Sequence, residues 1–217
     1  MGNPGRVSRA VFAMMLALAL APAAIAGVGK FKPASGVEKP DLRNYQTIVI
    51  TDFTDGVEKK VPDPAEAEKF HASVVSAGKL FADILAEKVR RSEGFTSVSR
   101  VPTAPADLLV AGNLLVTGKL TRFDASNVAM RYVGFGQGSK LDAVIELREA
   151  TDGRLLGTID VSLGSESIPG AINAIQTVER FMDGGSIRIA DELLIAKRIK
   201  HREETGRQGR LREKYKD

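Results

Sequence analysis

The sequence predicts a single α/β (α+β) domain: a mainly antiparallel sheet packed by a long N-terminal helix and a C-terminal helical segment, in the order β-α-β-β-β-β-α. Three observations predict it. A β-branched run at 45–53 is followed by a long stretch of helical period reaching residue 91. Apolar residues then alternate with polar ones through 114–121, 141–147 and 155–163, and helical spacing returns from 172 to 194. With 217 residues, 43% of them hydrophobic, and no cysteine, the chain can bury one core and must be held by it, because disulfides are excluded.

The N-terminus comes first in that order. Arg6 and Arg9 precede an apolar stretch from Ala10 to Ala21, and Ala24-Ile25-Ala26 supplies the small residues of a signal-peptidase site. The stretch is shorter than the roughly 20 residues that cross a bilayer, so residues 1–26 are read as a signal peptide cleaved after Ala26 and the mature protein is expected in the periplasm. That location removes ATP, nicotinamide cofactors and nucleic acid from the expected ligands. Gly27, not a cysteine, follows the cut, so no covalent lipid anchor is expected. Residues 27–43 contain two prolines and little apolar periodicity, and read as an extended leader to a domain at 44–202.

The first strand is 45–53 (YQTIVITDF), followed by a polar loop at 54–62. Asp63-Pro64 is an N-cap followed by proline at the first helical position, where the missing N–H costs nothing. Phe70, Val74, Ala77, Phe81, Ile84 and Leu85 form one apolar stripe along the helix, and Gly94 suits a left-handed closing residue. A short strand at 95–101 leads to a turn at Pro102 and Pro105. From 114, Leu114, Val116 and Leu120 share one face of a strand, with a bulge or bend at Gly112-Asn113.

The hairpin at 141–163 has its apolar residues on odd numbers: Leu141, Ala143, Ile145 and Leu147, then Leu155, Ile159, Val161 and Leu163. Facing residues share a side of the sheet, so paired positions must add to an even number. A two-residue Asp152-Gly153 turn would oppose apolar to polar. A three-residue loop, Thr151-Asp152-Gly153, pairs Ile145 with Ile159 and Ala143 with Val161, with Gly153 left-handed.

Beyond Gly164, the residues Ile172, Ile175, Val178 and Phe181 predict a short helix entered near Pro169 and broken or kinked at Gly184-Gly185. A second helix follows with Ile187, Ala190, Leu193 and Leu194 inward, running into Lys197-Arg198-Ile199-Lys200. Residues 203–217 read as a basic, disordered tail. Residues 197–217 carry nine Lys or Arg against four Asp or Glu, whereas 27–196 carry twenty against twenty-three. Lys197, Arg198, Lys200 and Arg202 are the candidates for weak peripheral association with anionic surfaces.

No catalytic, metal or cofactor site emerges. His71 and His201 are the only histidines and read as surface residues. Asp52 and Asp55 close the first strand and could hold a cation or serve acid/base work, but the Asp52–Gly56 stretch reads better as a turn whose side chains satisfy loop backbone. Ser162, Ser165 and Ser167 lack a nucleophile elbow and read as an exposed strand face and a helix approach. In 131–140 (RYVGFGQGSK), Gly134, Gly136 and Gly138 share one face of an extended chain; the spacing is not a dinucleotide fingerprint. Packing against a helix of the same molecule is preferred over a partner-binding surface, for which the candidates are Arg131, Gly134, Phe135, Gly136 and Gly138.

The segment 131–139, the alternating strand after it and 151–156 (TDGRLL) together resemble the bacterial family called domain of unknown function 4410. The likeness rests most firmly on 118–163. It implies an exported envelope protein; many members are lipoproteins, which the absent cysteine departs from. It supplies no catalytic residues. The expectation is therefore a non-enzymatic binding or accessory module whose partner is another envelope protein. The alternative is a periplasmic hydrolase or cation-binding enzyme using Asp52 and Asp55.

Overall fold

A computed structural model describes residues 25–36, 42–124, 139–164 and 178–198. The strands are β1 (Ile25–Val28), β2 (Lys32–Pro33), β3 (Thr47–Asp55), β4 (Ser97–Arg100), β5 (Asn113–Asp124), β6 (Lys140–Glu149) and β7 (Leu155–Gly164). The helices are α1 (Pro64–Arg91), between β3 and β4, and α2 (Val178–Ala196), after β7. One sheet runs β1-β7-β6-β5-β3-β4, with β2 also on β7. β3 is parallel to β4 and β5, and the remaining pairs are antiparallel. The mixed, mostly antiparallel domain and its order agree with the expectation, with β1 and β2 added. The 27–43 leader is therefore partly sheet: its backbone pairs with β7, and its glycines and proline mask any alternation that would have revealed it.

The core lies between one face of this sheet and the helices. Ile48, Ile50, Phe53, Leu114, Val116, Leu120, Ile145 and Ile159 meet Val74, Phe81, Leu85 and Val89 of α1 and Phe181, Met182, Ile189 and Leu193 of α2, all buried. Each such side chain contributes about 1.5–3 kcal/mol by leaving water. The α1 stripe is the expected one, except that Phe70 and Ile84 are half-buried at its margin. Asp63 caps α1, its carboxylate accepting the Glu66 N–H at 3.0 Å.

Phe53 shows how closely the layers approach. A Cβ on Gly118 would lie 2.4 Å from the Phe53 ring, and one on Gly78 would lie 2.4 Å from the Phe53 carbonyl oxygen. The ring meets Phe81 edge-on at 5.3 Å. Two glycines, one on β5 and one on α1, thus make the room that this phenylalanine fills.

The hairpin register is as expected, with Ile145 opposite Ile159 and Ala143 opposite Val161. Its loop is one residue longer. Arg148 faces Leu155 and the Glu149 N–H bonds the Arg154 carbonyl, leaving Ala150–Gly153 as the turn, with Gly153 at φ 69°. A bulge at Leu156 absorbs the extra residue, so Leu156 is buried where Leu155 was expected. The bulge in β5 lies between Leu120 and Arg122, while Gly112, at φ 82°, makes the bend into the strand.

Three helix-end expectations are corrected. Glu93, at φ 55°, is the left-handed residue after α1; Gly94 is glycine because a Cβ there would lie 2.2 Å from Leu194. The helix α2 passes through Gly184-Gly185 without a break, because Gly185 lets it close onto Leu163, whose Cδ1 would be 2.7 Å from an added Cβ. Packing there also turns Ile189 inward and leaves Ile187 half-buried. Finally, α2 stops at Ala196 and Arg198 turns left-handed, so it does not extend into residue 200 as expected. The helix expected to begin near Pro169 lies, before Val178, outside the described residues.

The sheet face away from the helices carries polar rows. Arg122, Asp142 and Ser162 align across three strands, as do Thr117, Glu146 and Thr158. Ser162 donates to Asp142 at 2.7 Å, and Lys32 pairs with Asp160 at 2.6 Å.

Candidate functional site

The two ends of the sheet differ in what they hold. At the end where β3 finishes, Asp124, Lys140, Gly164 and Ile25 stand side by side on successive strands. Residues 1–24, 125–138 and 165–177 all join the domain at this end. The glycine segment is among them, so Arg131, Gly134, Phe135, Gly136 and Gly138 lie outside the described residues, as do Ser165 and Ser167.

Asp52 and Asp55 are in strand β3, not in a turn. A bulge after Ile50 carries Asp52 toward α1, where the Arg100 guanidinium of β4 holds it at 2.5 Å and also reaches Asp83 of α1 at 2.8 Å. Asp55 accepts the Val57 N–H at 2.8 Å through one oxygen and contacts the His71 ring nitrogen at 2.5 Å through the other. The two carboxylates are thus engaged separately. No group of three or more metal-ligating side chains gathers among the described residues. His71 is half-exposed and packs beside Phe70, and His201 lies outside the described residues.

At the opposite end, where β3 and β4 begin, the C-termini of α1 and α2 meet a cleft of about 400 Å3. It is lined by Arg43, Gln46, Glu93, Gly94, Phe95, Thr96, Lys197 and Arg198. Its wall is fixed by hydrogen bonds: Thr96 donates through its hydroxyl to the Gln46 side chain at 3.1 Å and through its N–H to the Gln46 carbonyl at 2.8 Å. Lys197, expected on an exposed basic tail, is only 3% exposed. Its ammonium donates to the Tyr45 carbonyl and lies 4.2 Å from the centre of the Phe95 ring. Burial pushes the Lys197 ammonium below its usual range. The Tyr45 hydroxyl donates to the Glu149 carboxylate and is pushed up, first by burial and then by that carboxylate.

Among the residues expected to meet anions, Lys197 and Arg198 come together here, whereas Lys200 and Arg202 lie outside the described residues. Arg43 and Phe95 join them unforeseen. Arg43 is remote in sequence, and Phe95 read only as strand. Both helices end at this cleft, so their C-terminal carbonyls favour cations there.

A family model described as Domain of unknown function (DUF4410) matches residues 48–164, from β3 through the last residue of β7. The chain belongs to this family. The match covers β3 from its second residue, α1 and β4 to β7; β1, β2 and α2 lie outside it, as do Arg43, Gln46, Lys197 and Arg198 of the cleft. No curated protein matches the chain. Among solved structures, the PelC dodecamer from Paraburkholderia phytofirmans is 12% identical, over 78% of this chain and 97% of that one, with a TM-score of 0.47. A protein from Xanthomonas campestris is also 12% identical, over 78% and 94%, with a TM-score of 0.41. Both are distant likenesses.

Proposed function

We propose that this DUF4410 protein is an exported bacterial envelope protein that binds another envelope component and carries out no chemistry on it. The observation that carries the binding reading is the cleft: an open recess lined by a buried lysine and two arginines, at the end of the fold from which the basic residues after 198 continue. A recess of this volume is within the range that holds small ligands or a partner's side chains. The hydrolase or cation-site alternative has no support, since Asp52 and Asp55 are held by different partners and no third ligand joins them among the described residues.

Export is supported by the sequence of residues 1–26. A cut after Ala26 would leave Gly27 and Val28 of β1 opposite Ser162 and Val161, so the shortened strand keeps two of its pairings. The residues after 198 would add weak attraction to anionic headgroups, whereas Lys197 is withdrawn into the fold and contributes little to it. The glycine segment is a second candidate contact, joined to the opposite end.

Cell fractionation with intact mass, followed by in-cell crosslinking and mass spectrometry, tests this. The expected result is a periplasmic protein beginning at Gly27 and crosslinked to an envelope component. A full-length cytoplasmic product would contradict export, and an exported protein with no reproducible crosslink would contradict binding.

A further inference from the structure

We infer that the cleft between the ends of α1 and α2 is a binding site for one oxyanionic group, a phosphate or a carboxylate, with the Lys197 ammonium as its buried anchor and Arg198 at its rim. This rests on the reading of the chain as a binding protein, to which it adds the chemistry of the ligand.

One charge in the cleft is out of place. Lys197 is 3% exposed, and among the described residues its ammonium has one hydrogen-bond acceptor, the Tyr45 carbonyl, and no carboxylate. An ammonium has three donors, so two are left over beside the cleft it lines. Burying a charge without a countercharge is costly, and the depressed proton affinity of Lys197 records that cost. The Phe95 ring face and the helix C-terminal carbonyls soften it with partial charges only. A full negative charge in the cleft would meet the remaining donors. Arg198 is exposed on the same recess and adds a second, planar donor set suited to oxyanions. Among the described residues Glu93 is the one acidic side chain in the lining. The volume of the recess exceeds that of one phosphate or carboxylate, which leaves room for the group's attachment to a larger molecule.

The test is a titration of the full chain, followed by amide resonances, with inorganic phosphate and with acetate at constant ionic strength. The expected result is saturable shifts at Gly94, Thr96 and Arg198. Lys197→Met, which removes an uncompensated buried charge and should stay folded, is expected to weaken the response about tenfold or more. Arg198→Gln, at the exposed rim, is expected to weaken it about two- to fivefold and keeps the test decisive if the first variant fails to fold. Sedimentation with phosphatidylglycerol vesicles separates the sources: sedimentation competed by inorganic phosphate assigns the group to a lipid headgroup, and saturable phosphate or acetate binding without sedimentation assigns it to a soluble or protein-borne group. Each of these supports the site. Unsaturable shifts, shifts spread over the surface, or responses unchanged in Arg198→Gln would overturn it. So would a response that appears only when Glu203 and Glu204 are changed to Gln, because the chain's own carboxylates would then be the occupants. Crosslinking in cells can fail while this titration succeeds, and the reverse, so the two readings fall separately.

Discussion

Phe53 enters the core only because Gly118 and Gly78 lack side chains, and that makes Gly118 a sharp probe of the packing between β5 and α1. Gly118→Val places carbon where the ring already stands and should cost about 1–3 kcal/mol in urea unfolding; a loss of a few tenths would mean the ring has room to move aside. Tyr45 gives a pH test. Its hydroxyl is held above its ordinary value of 10.0, so above pH 10 the folded protein keeps a proton that the unfolded chain has released. This contribution is complete below pH 10 and is lost as pH rises further, with a slope of up to about 1.4 kcal/mol per pH unit. The urea midpoint of the native protein should therefore fall more steeply above pH 10 than that of Tyr45→Phe. Parallel profiles would show that the hydroxyl is not confined. The same residue scale explains why the cleft was only partly legible in the sequence. Lys197 was visible as a charge, but its burial depends on Tyr45, 152 residues away, and on Phe95.

At the scale of elements, the hairpin was readable because parity alone forbids opposing apolar to polar residues across a ladder. Ile145→Asp, which buries an unpaired charge in the core, should cost about 3–5 kcal/mol, whereas Glu146→Ala on the polar face should change stability by a few tenths. Equal losses from the two would contradict the register. The loop length was not readable, because a bulge at Leu156 restores the same parity after a longer turn. The glycines of α1 and α2 misled for a related reason: one residue type serves both for a left-handed turn and for close approach, and only the neighbouring element decides which. Gly94 and Gly185 serve close approach, to Leu194 and Leu163. Gly184 has nothing within 4 Å of an added Cβ. Gly184→Ala should then stabilise α2 by up to about 1 kcal/mol, while Gly185→Ala should destabilise it. Thermal unfolding of the pair checks this, and two variants of the same sign would contradict the unbroken, closely packed helix. The strands β1 and β2 were invisible because their pairing is through the backbone to β7, with no apolar period of their own.

At the scale of the molecule, the fold separates two candidate contact regions in space. The glycine segment joins one end of the sheet, and the cationic cleft, with the basic residues after 198, lies at the other, with a core about the length of α1 between them. Order, layers and the long helix were legible because periodicity encodes which face is buried; the cleft was not, because it depends on where helices stop. The cleft end is the proposed binding end. A photo-crosslinking residue placed at Arg198, at Thr158 on the polar sheet face, or at Lys140 beside the glycine segment, and activated in living cells, tests it most directly. Binding at the cleft predicts a reproducible crosslink to one envelope component from position 198, and weaker or no crosslinking from 158. A crosslink to a common partner from 140 or 158, with none from 198, would contradict it.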